Sequence, residues 1–159
     1  MTLLNKASDG IHNVLIILIR SLSDQKKSKE DLFQSCKVGG MDEEKLIQTL
    51  NKWTKLGLFE VSETGEIKFK IQQRFSKSTN EIDIIIPALV REVIFREDNN
   101  KNNFWKNENN GSADLTRALA WLMAQDIYTA KLENNDLLNL SVTQFRNSGF
   151  DTITNSRDL

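Results

Sequence analysis

The hydrophobic spacing changes period at Gly57, and this constrains the fold more than any other feature of the chain. Upstream, Leu46, Ile47, Leu50, Trp53 and Leu56 recur at helical spacing within Met41 to Leu56, which gives one helix an inward face. Downstream, Leu58-Phe59-Glu60-Val61-Ser62 and Ile67-Lys68-Phe69-Lys70-Ile71 alternate apolar and polar residues, the period of strands buried on one side. Glu63-Thr64-Gly65-Glu66 lies between them and reads as a turn, so the two runs form a hairpin. Glycine at 57 suits the break, because it enters the left-handed conformation that ends a helix without a side-chain penalty.

Two further helices precede this pair. Ser8-Asp9-Gly10 is a capping cluster, and the apolar run Val14 to Ile19 carries the first helix, spanning residues 8 to 22. That run falls far short of the ~20 residues a membrane helix needs. With Asp9 upstream and no small-residue cleavage motif downstream, it reads as neither anchor nor signal peptide but as a buried core helix. Ser23 to Lys27 reads as a turn. Ser28 is the predicted N-cap of the second helix, with Asp31 reaching back, Leu32, Phe33 and Cys36 inward, and Val38-Gly39-Gly40 closing it. Asp42, Glu43 and Glu44 fall in the first turn of the third helix, where its dipole favours carboxylates.

Helix, helix, helix, hairpin is the order of a winged helix-turn-helix, and Trp53-Thr54-Lys55-Leu56-Gly57-Leu58-Phe59 resembles the junction of recognition helix and wing in that superfamily. The resemblance covers residues 8 to 72. The expected fold class is therefore mainly α with a small β-hairpin wing (α+β), with a winged-helix domain at 1–72 and a helical extension at 73–159. Within the extension, Ile82 to Ile86 reads as extended chain before a helix from Pro87 to Arg96, since proline is tolerated in a first turn. Residues 99–111 contain seven asparagines and read as a long loop, with Phe104-Trp105 holding it to the body. Ser112 is the expected cap of a helix from Ala113 to about Gln125, with Leu115, Leu119, Leu122 and Met123 on its core face and Ala118 and Trp121 beside them. A short last helix falls within Leu137 to Phe145, and Phe150 to Leu159 is polar.

Composition narrows the chemistry. The chain has 159 residues, one cysteine, Cys36, and one histidine, His12, which excludes an internal disulfide and a Cys/His zinc site. A reducing cytoplasm is the expected compartment. There is no glycine-rich phosphate loop and no nucleophile elbow. His12 on the apolar first helix and Cys36 near the end of the second read as packed residues rather than a base or nucleophile. The expectation is a protein without catalytic residues, cofactor or metal, which acts by binding.

The binding surface indicated by the pattern is the outward face of the third helix: Lys45, Gln48, Asn51, Lys52 and Lys55. Amides pair with adenine edges and lysines neutralise phosphates. Lys68, Lys70 and Arg74 continue a basic path along the hairpin, and Lys26, Lys27 and Lys29 add positive charge before the second helix. Against this stand the three acids that begin the third helix. Residues 1–70 hold 11 Lys and Arg against 10 Asp and Glu, a balance of only +1, so no strong electrostatic footprint for nucleic acid is expected. Two partner readings stay open: double-stranded DNA at the helix face, or other protein subunits docked on the same module. Neither involves a membrane.

Two phrases further along, Arg117-Ala118-Leu119-Ala120-Trp121-Leu122-Met123-Ala124-Gln125-Asp126 and Thr152-Ile153-Thr154-Asn155-Ser156-Arg157-Asp158-Leu159, resemble the DpdG-like proteins of bacterial clusters that insert deazaguanine bases into DNA. That resemblance implies an accessory, DNA-associated role in DNA modification and phage defence. It also implies that the 159 residues are the front part of a longer protein.

Overall fold

The computed structural model describes residues 13–23, 25–37, 40–70, 79–102, 104–105, 111–126, 128 and 134–145. The expected cap at Ser8 to Gly10, His12, Val38-Gly39, Ile71, Arg74, the link after Gln72, residues 103 and 106–110 of the asparagine-rich stretch and the C-terminal phrase from Thr152 lie outside the described residues. The architecture is mainly helical with one antiparallel hairpin, the α+β class expected: α1 Asn13–Leu22, α2 Lys29–Lys37, α3 Glu43–Lys55, β1 Phe59–Val61, β2 Ile67–Phe69, α4 Thr79–Phe95, α5 Glu97–Asn100, α6 Ala113–Met123 and α7 Asn134–Phe145. The chain divides into two compact units, Ile11–Val93 and Met1–Gly10 with Ile94–Leu159.

In the first unit α1 packs against α2, α3 and β2. Leu15, Leu18, Ile19 and Leu22 are buried on α1, while Val14, Ile16 and Ile17 are only partly covered. The apolar run therefore makes a wide stripe rather than a helix enclosed on all sides. Leu32, Phe33 and Cys36 are buried on α2 as their spacing predicts. Its start is capped as expected: the Ser28 hydroxyl accepts from the Asp31 amide at 3.0 Å and donates to the Asp31 carboxylate at 2.8 Å. Ser28→Ala should lower stability by about 1 kcal/mol, read as an earlier urea midpoint with an unchanged slope. An unshifted midpoint would mean that solvent satisfies this helix end equally well.

α3 starts two residues later than the sequence predicts. Asp42 is its N-cap, with its carboxylate accepting from the Glu44 amide. The inward face is Leu46, Thr49, Leu50 and Trp53, with Leu56 following; Ile47 is only half-buried, and Thr49 takes the place expected for it. Gly57 adopts φ of 84°, which only glycine enters freely, and turns the chain so that the Leu58 amide reaches the Trp53 carbonyl at 2.9 Å. The hairpin pairs Phe59 with Phe69, Glu60 with Lys68 and Val61 with Ile67. Lys27, expected in a turn, instead bridges to Ile67 through both backbone hydrogen bonds, at 3.0 and 2.7 Å. The segment between α1 and α2 is thus a one-residue third strand on the edge of β2.

The expected extended segment before Pro87 is helical. α4 runs unbroken through Pro87, with Ile82, Ile86, Leu89, Val90 and Val93 buried. Proline inside a helix costs about 3 kcal/mol. Five large apolar side chains recurring every three or four residues outweigh that cost when each contributes about 1.5–3 kcal/mol on burial.

In the second unit α5 packs against α6. The start of the asparagine-rich stretch is ordered by its own side chains rather than left as loop. Asn99 and Asn100 belong to α5, and the Asn100 amide donates to the carbonyls of Ile94 and Arg96 at 2.6 and 2.9 Å. Ser112 occupies the N-cap position of α6 but makes no side-chain cap. Its hydroxyl is buried and donates to the Ile94 carbonyl at 2.6 Å. Gly111 is fixed by close approach: a Cβ there would lie 2.5 Å from the Asn99 carbonyl oxygen.

The core face of α6 also differs from the expected one. Ala113, Asp114, Leu115, Arg117, Ala118 and Trp121 are buried, whereas Leu122 is at the edge and Met123 is 85% exposed. The difference arises because Asp114 and Arg117 pair inside at 2.8 Å and take the inward positions. Arg117 also donates to the Phe104 carbonyl and lies 5.8 Å from that ring, so Phe104 is held as expected while Trp105 stays exposed.

Candidate nucleic-acid interface

The dipole and the core together decide what α3 can present. Its buried stripe leaves Glu44, Lys45, Gln48, Asn51 and Lys55 exposed and Lys52 half-exposed. The five expected helix residues thus do share one solvent-facing side of a single helix. Residues 45–55 hold three lysines and no acid, a local charge of +3, while the three acids are confined to the first turn and its cap.

Those acids are not equivalent. Asp42 is used as the cap, and Glu43 pairs with Lys37 of α2 at 2.6 Å. Glu44 accepts from the Gln48 side-chain amide at 3.0 Å. Gln48 is therefore already engaged along the helix through one of its side-chain N–H groups. Beside this face lies a cleft of about 350 Å³ lined by Lys29, Glu30, Phe33, Gln34, Lys37, Glu43 and Ile47. Its lining mixes both signs of charge, and Lys29 sits 5.5 Å from the Phe33 ring.

On the hairpin, the expected basic path is interrupted. Lys68 pairs with Glu60 across the strands at 3.5 Å. Lys26 pairs with Glu66 at 2.6 Å, and the hydrogen bond from that ammonium holds the Glu66 carboxyl below the usual carboxylate range. Lys70 is exposed at the hairpin root, where its amide bonds the Leu58 carbonyl at 3.1 Å. Among the described residues, Lys45, Lys55 and Lys70 have no ion-pair partner. Arg74 lies outside the described residues.

Cys36 is buried beside the Ser21 hydroxyl, and burial pushes its thiol up. A thiol held protonated in the core is a poor nucleophile. Among the described residues no three His, Cys, Asp or Glu side chains are placed to hold a metal ion, and no helix is long and apolar enough to cross a membrane.

The feature the sequence reading missed is the interior pair Asp114–Arg117. Its only advance signal is the three-residue spacing of an acid and a base on α6, which surface helices share. Burial pushes the Arg117 guanidinium below its ordinary value, and the Asp114 carboxylate acts against that.

No curated protein and no solved structure matches the chain. The family profile described as DpdG-like matches residues 1–159, and the chain belongs to the DpdG-like family.

Proposed function

We propose that residues 11–93 hold a winged-helix module that works by binding rather than catalysis, with double-stranded DNA as its partner, in an accessory role in deazaguanine modification of DNA and the phage defence associated with it. The observation that carries the winged-helix reading is the Lys27–Ile67 bridge. It adds a strand residue between α1 and α2, so the order is helix, bridging residue, helix, helix, hairpin, which is the order of that module. The DpdG-like membership supports the DNA-modification setting. The +3 charge of residues 45–55 supports DNA at α3. In this reading Asn51 and Gln48 face base edges and Lys45, Lys52 and Lys55 face phosphates.

A labelled random-sequence duplex, titrated by fluorescence anisotropy at low and moderate salt, tests the reading. Binding that weakens steeply with salt is expected, and Lys52→Glu with Lys55→Glu should weaken it further and flatten its salt dependence. Absence of binding at low salt would remove DNA as the partner.

A second reading is favoured by a separate observation. Leu122, Met123, Tyr128 and Val142 leave apolar surface exposed in the second unit. Exposed apolar side chains mark a protein contact where they form one contiguous patch, and an accessory subunit docked on a partner protein would bury them.

A further inference from the structure

We infer that the DNA backbone is met at the C-terminal end of α3 and the root of the hairpin, around Lys55 and Lys70, and that the strands and tip of the hairpin are electrostatically closed to it. The inference rests on the DNA reading above and names the part of the module that makes the contact.

Charge is divided sharply at Gly57. The α3 segment 45–55 carries three lysines and no acid. The hairpin 59–69 carries Glu60, Glu63 and Glu66 against Lys68 alone, a local charge of −2. Lys68 already faces Glu60 at 3.5 Å, and Lys26, approaching from outside the hairpin, faces Glu66 at 2.6 Å. Exposed pairs of this kind are weak, because water screens them and ordering two long side chains costs entropy. Pair strength is therefore not what closes the hairpin. A phosphate that captured Lys68 or Lys26 would leave Glu60 or Glu66 uncompensated beside a polyanion. Each lysine gained would expose a repelling carboxylate, and Glu63 at the turn has no cation partner among the described residues.

Lys55 and Lys70 have no such counter-charge. Both are exposed, and neither has an ion-pair partner among the described residues. The backbone ties both positions to Leu58. Gly57 folds the chain back after α3, the Leu58 amide bonds the Trp53 carbonyl, and the Lys70 amide bonds the Leu58 carbonyl at 3.1 Å. Lys55 thus stands three residues before Leu58, and Lys70 stands opposite it across the ladder. Lys52, one helical turn before Lys55, extends the same end. The opposite end of α3, which a recognition helix normally turns to the base edges, begins with Asp42, Glu43 and Glu44, and these carboxylates would repel neighbouring phosphates.

The test uses the full chain and a random-sequence duplex, with the slope of log K against log salt as readout. Two double variants are compared, Lys55→Gln/Lys70→Gln and Lys26→Gln/Lys68→Gln. Both remove two positive charges from exposed positions, so net charge does not distinguish them, and far-UV circular dichroism verifies that each stays folded. The helix-and-root variant should flatten the slope by about 1.8, at roughly 0.9 for each phosphate no longer neutralised. The hairpin variant should leave it unchanged. Wild-type binding with equal flattening in both variants, or with flattening in the hairpin variant alone or in neither, overturns this placement and leaves the DNA reading standing. No wild-type binding at low salt overturns both.

Discussion

Arg117→Ala should destabilise the unit that holds α6 by about 3–5 kcal/mol, the usual cost of removing one partner from a buried ion pair. The Asp114 side chain is 0% and the Arg117 side chain 5% exposed, so no solvent shell replaces the missing guanidinium. The carboxylate would remain in the core without its cation. The same substitution releases the Phe104 carbonyl and the ring beneath the guanidinium, which detaches the chain after α5 from α6. Total stabilities are typically about 5–15 kcal/mol, so such a loss consumes a large share. Hydrogen exchange should report it as faster exchange of the α6 amides, with α1 to α3 unaffected. Asp114→Leu combined with Arg117→Met should recover most of the loss, because apolar residues of similar size fill a buried pair's volume without its desolvation cost. A double variant as unstable as the single one would assign the energy to the attachment of Phe104 rather than to the pair.

That pair also shows where sequence reading stops. The helices and hairpin of the first unit were legible because period, caps and glycines agree with one another over residues 13–70. Ser28 with Asp31, Asp42, and Gly57 each mark an element end by a local mechanism that needs no tertiary partner. The misses lie where a distant partner decides. Lys27 reads as turn because nothing in Ser23 to Lys27 reveals that Ile67 will complete its backbone bonds. Pro87 reads as a helix start because local propensity dominates when burial on both sides of it is unknown. Leu122 and Met123 read as core because leucine and methionine usually are, and only the inward rotation of Asp114 and Arg117 places them outside.

The candidate site was legible in a similar, partial way. Lys45, Gln48, Asn51, Lys52 and Lys55 share a solvent-facing side because the helical period that buries Leu46, Leu50 and Trp53 turns them outward. Their electrostatic context was not legible. That Glu60 neutralises Lys68 follows from the hairpin register, and that Glu44 engages Gln48 follows from side-chain geometry on α3. Residue type gave the positions of the charges; pairing decides which of them a phosphate would meet.

Trp53→Ala should cost the first unit about 3–5 kcal/mol, the range for removing a large aromatic side chain from a packed core. Trp53 is fully buried on α3, the helix that packs on both α1 and β1, and its carbonyl receives the Leu58 amide at the turn into the hairpin. The cavity therefore opens where the helix, the turn and the hairpin root join. Trp53→Phe separates packing from polarity. The indole Nε1 is buried and has no acceptor among the described residues. An unsatisfied buried donor costs about 1–3 kcal/mol. Phenylalanine removes that cost while keeping most of the ring, so its destabilisation should be less than half that of alanine. Urea unfolding followed by far-UV circular dichroism measures both. Equal destabilisation would mean that the indole nitrogen is satisfied in solution and that its hydrogen bond matters as much as the ring. The same two variants link packing to binding: the Lys70 amide bonds the Leu58 carbonyl, and the Leu58 amide in turn bonds the Trp53 carbonyl two residues before Lys55. The phenylalanine variant should therefore keep DNA affinity, and the alanine variant should lose it at urea concentrations where the wild-type chain is still folded.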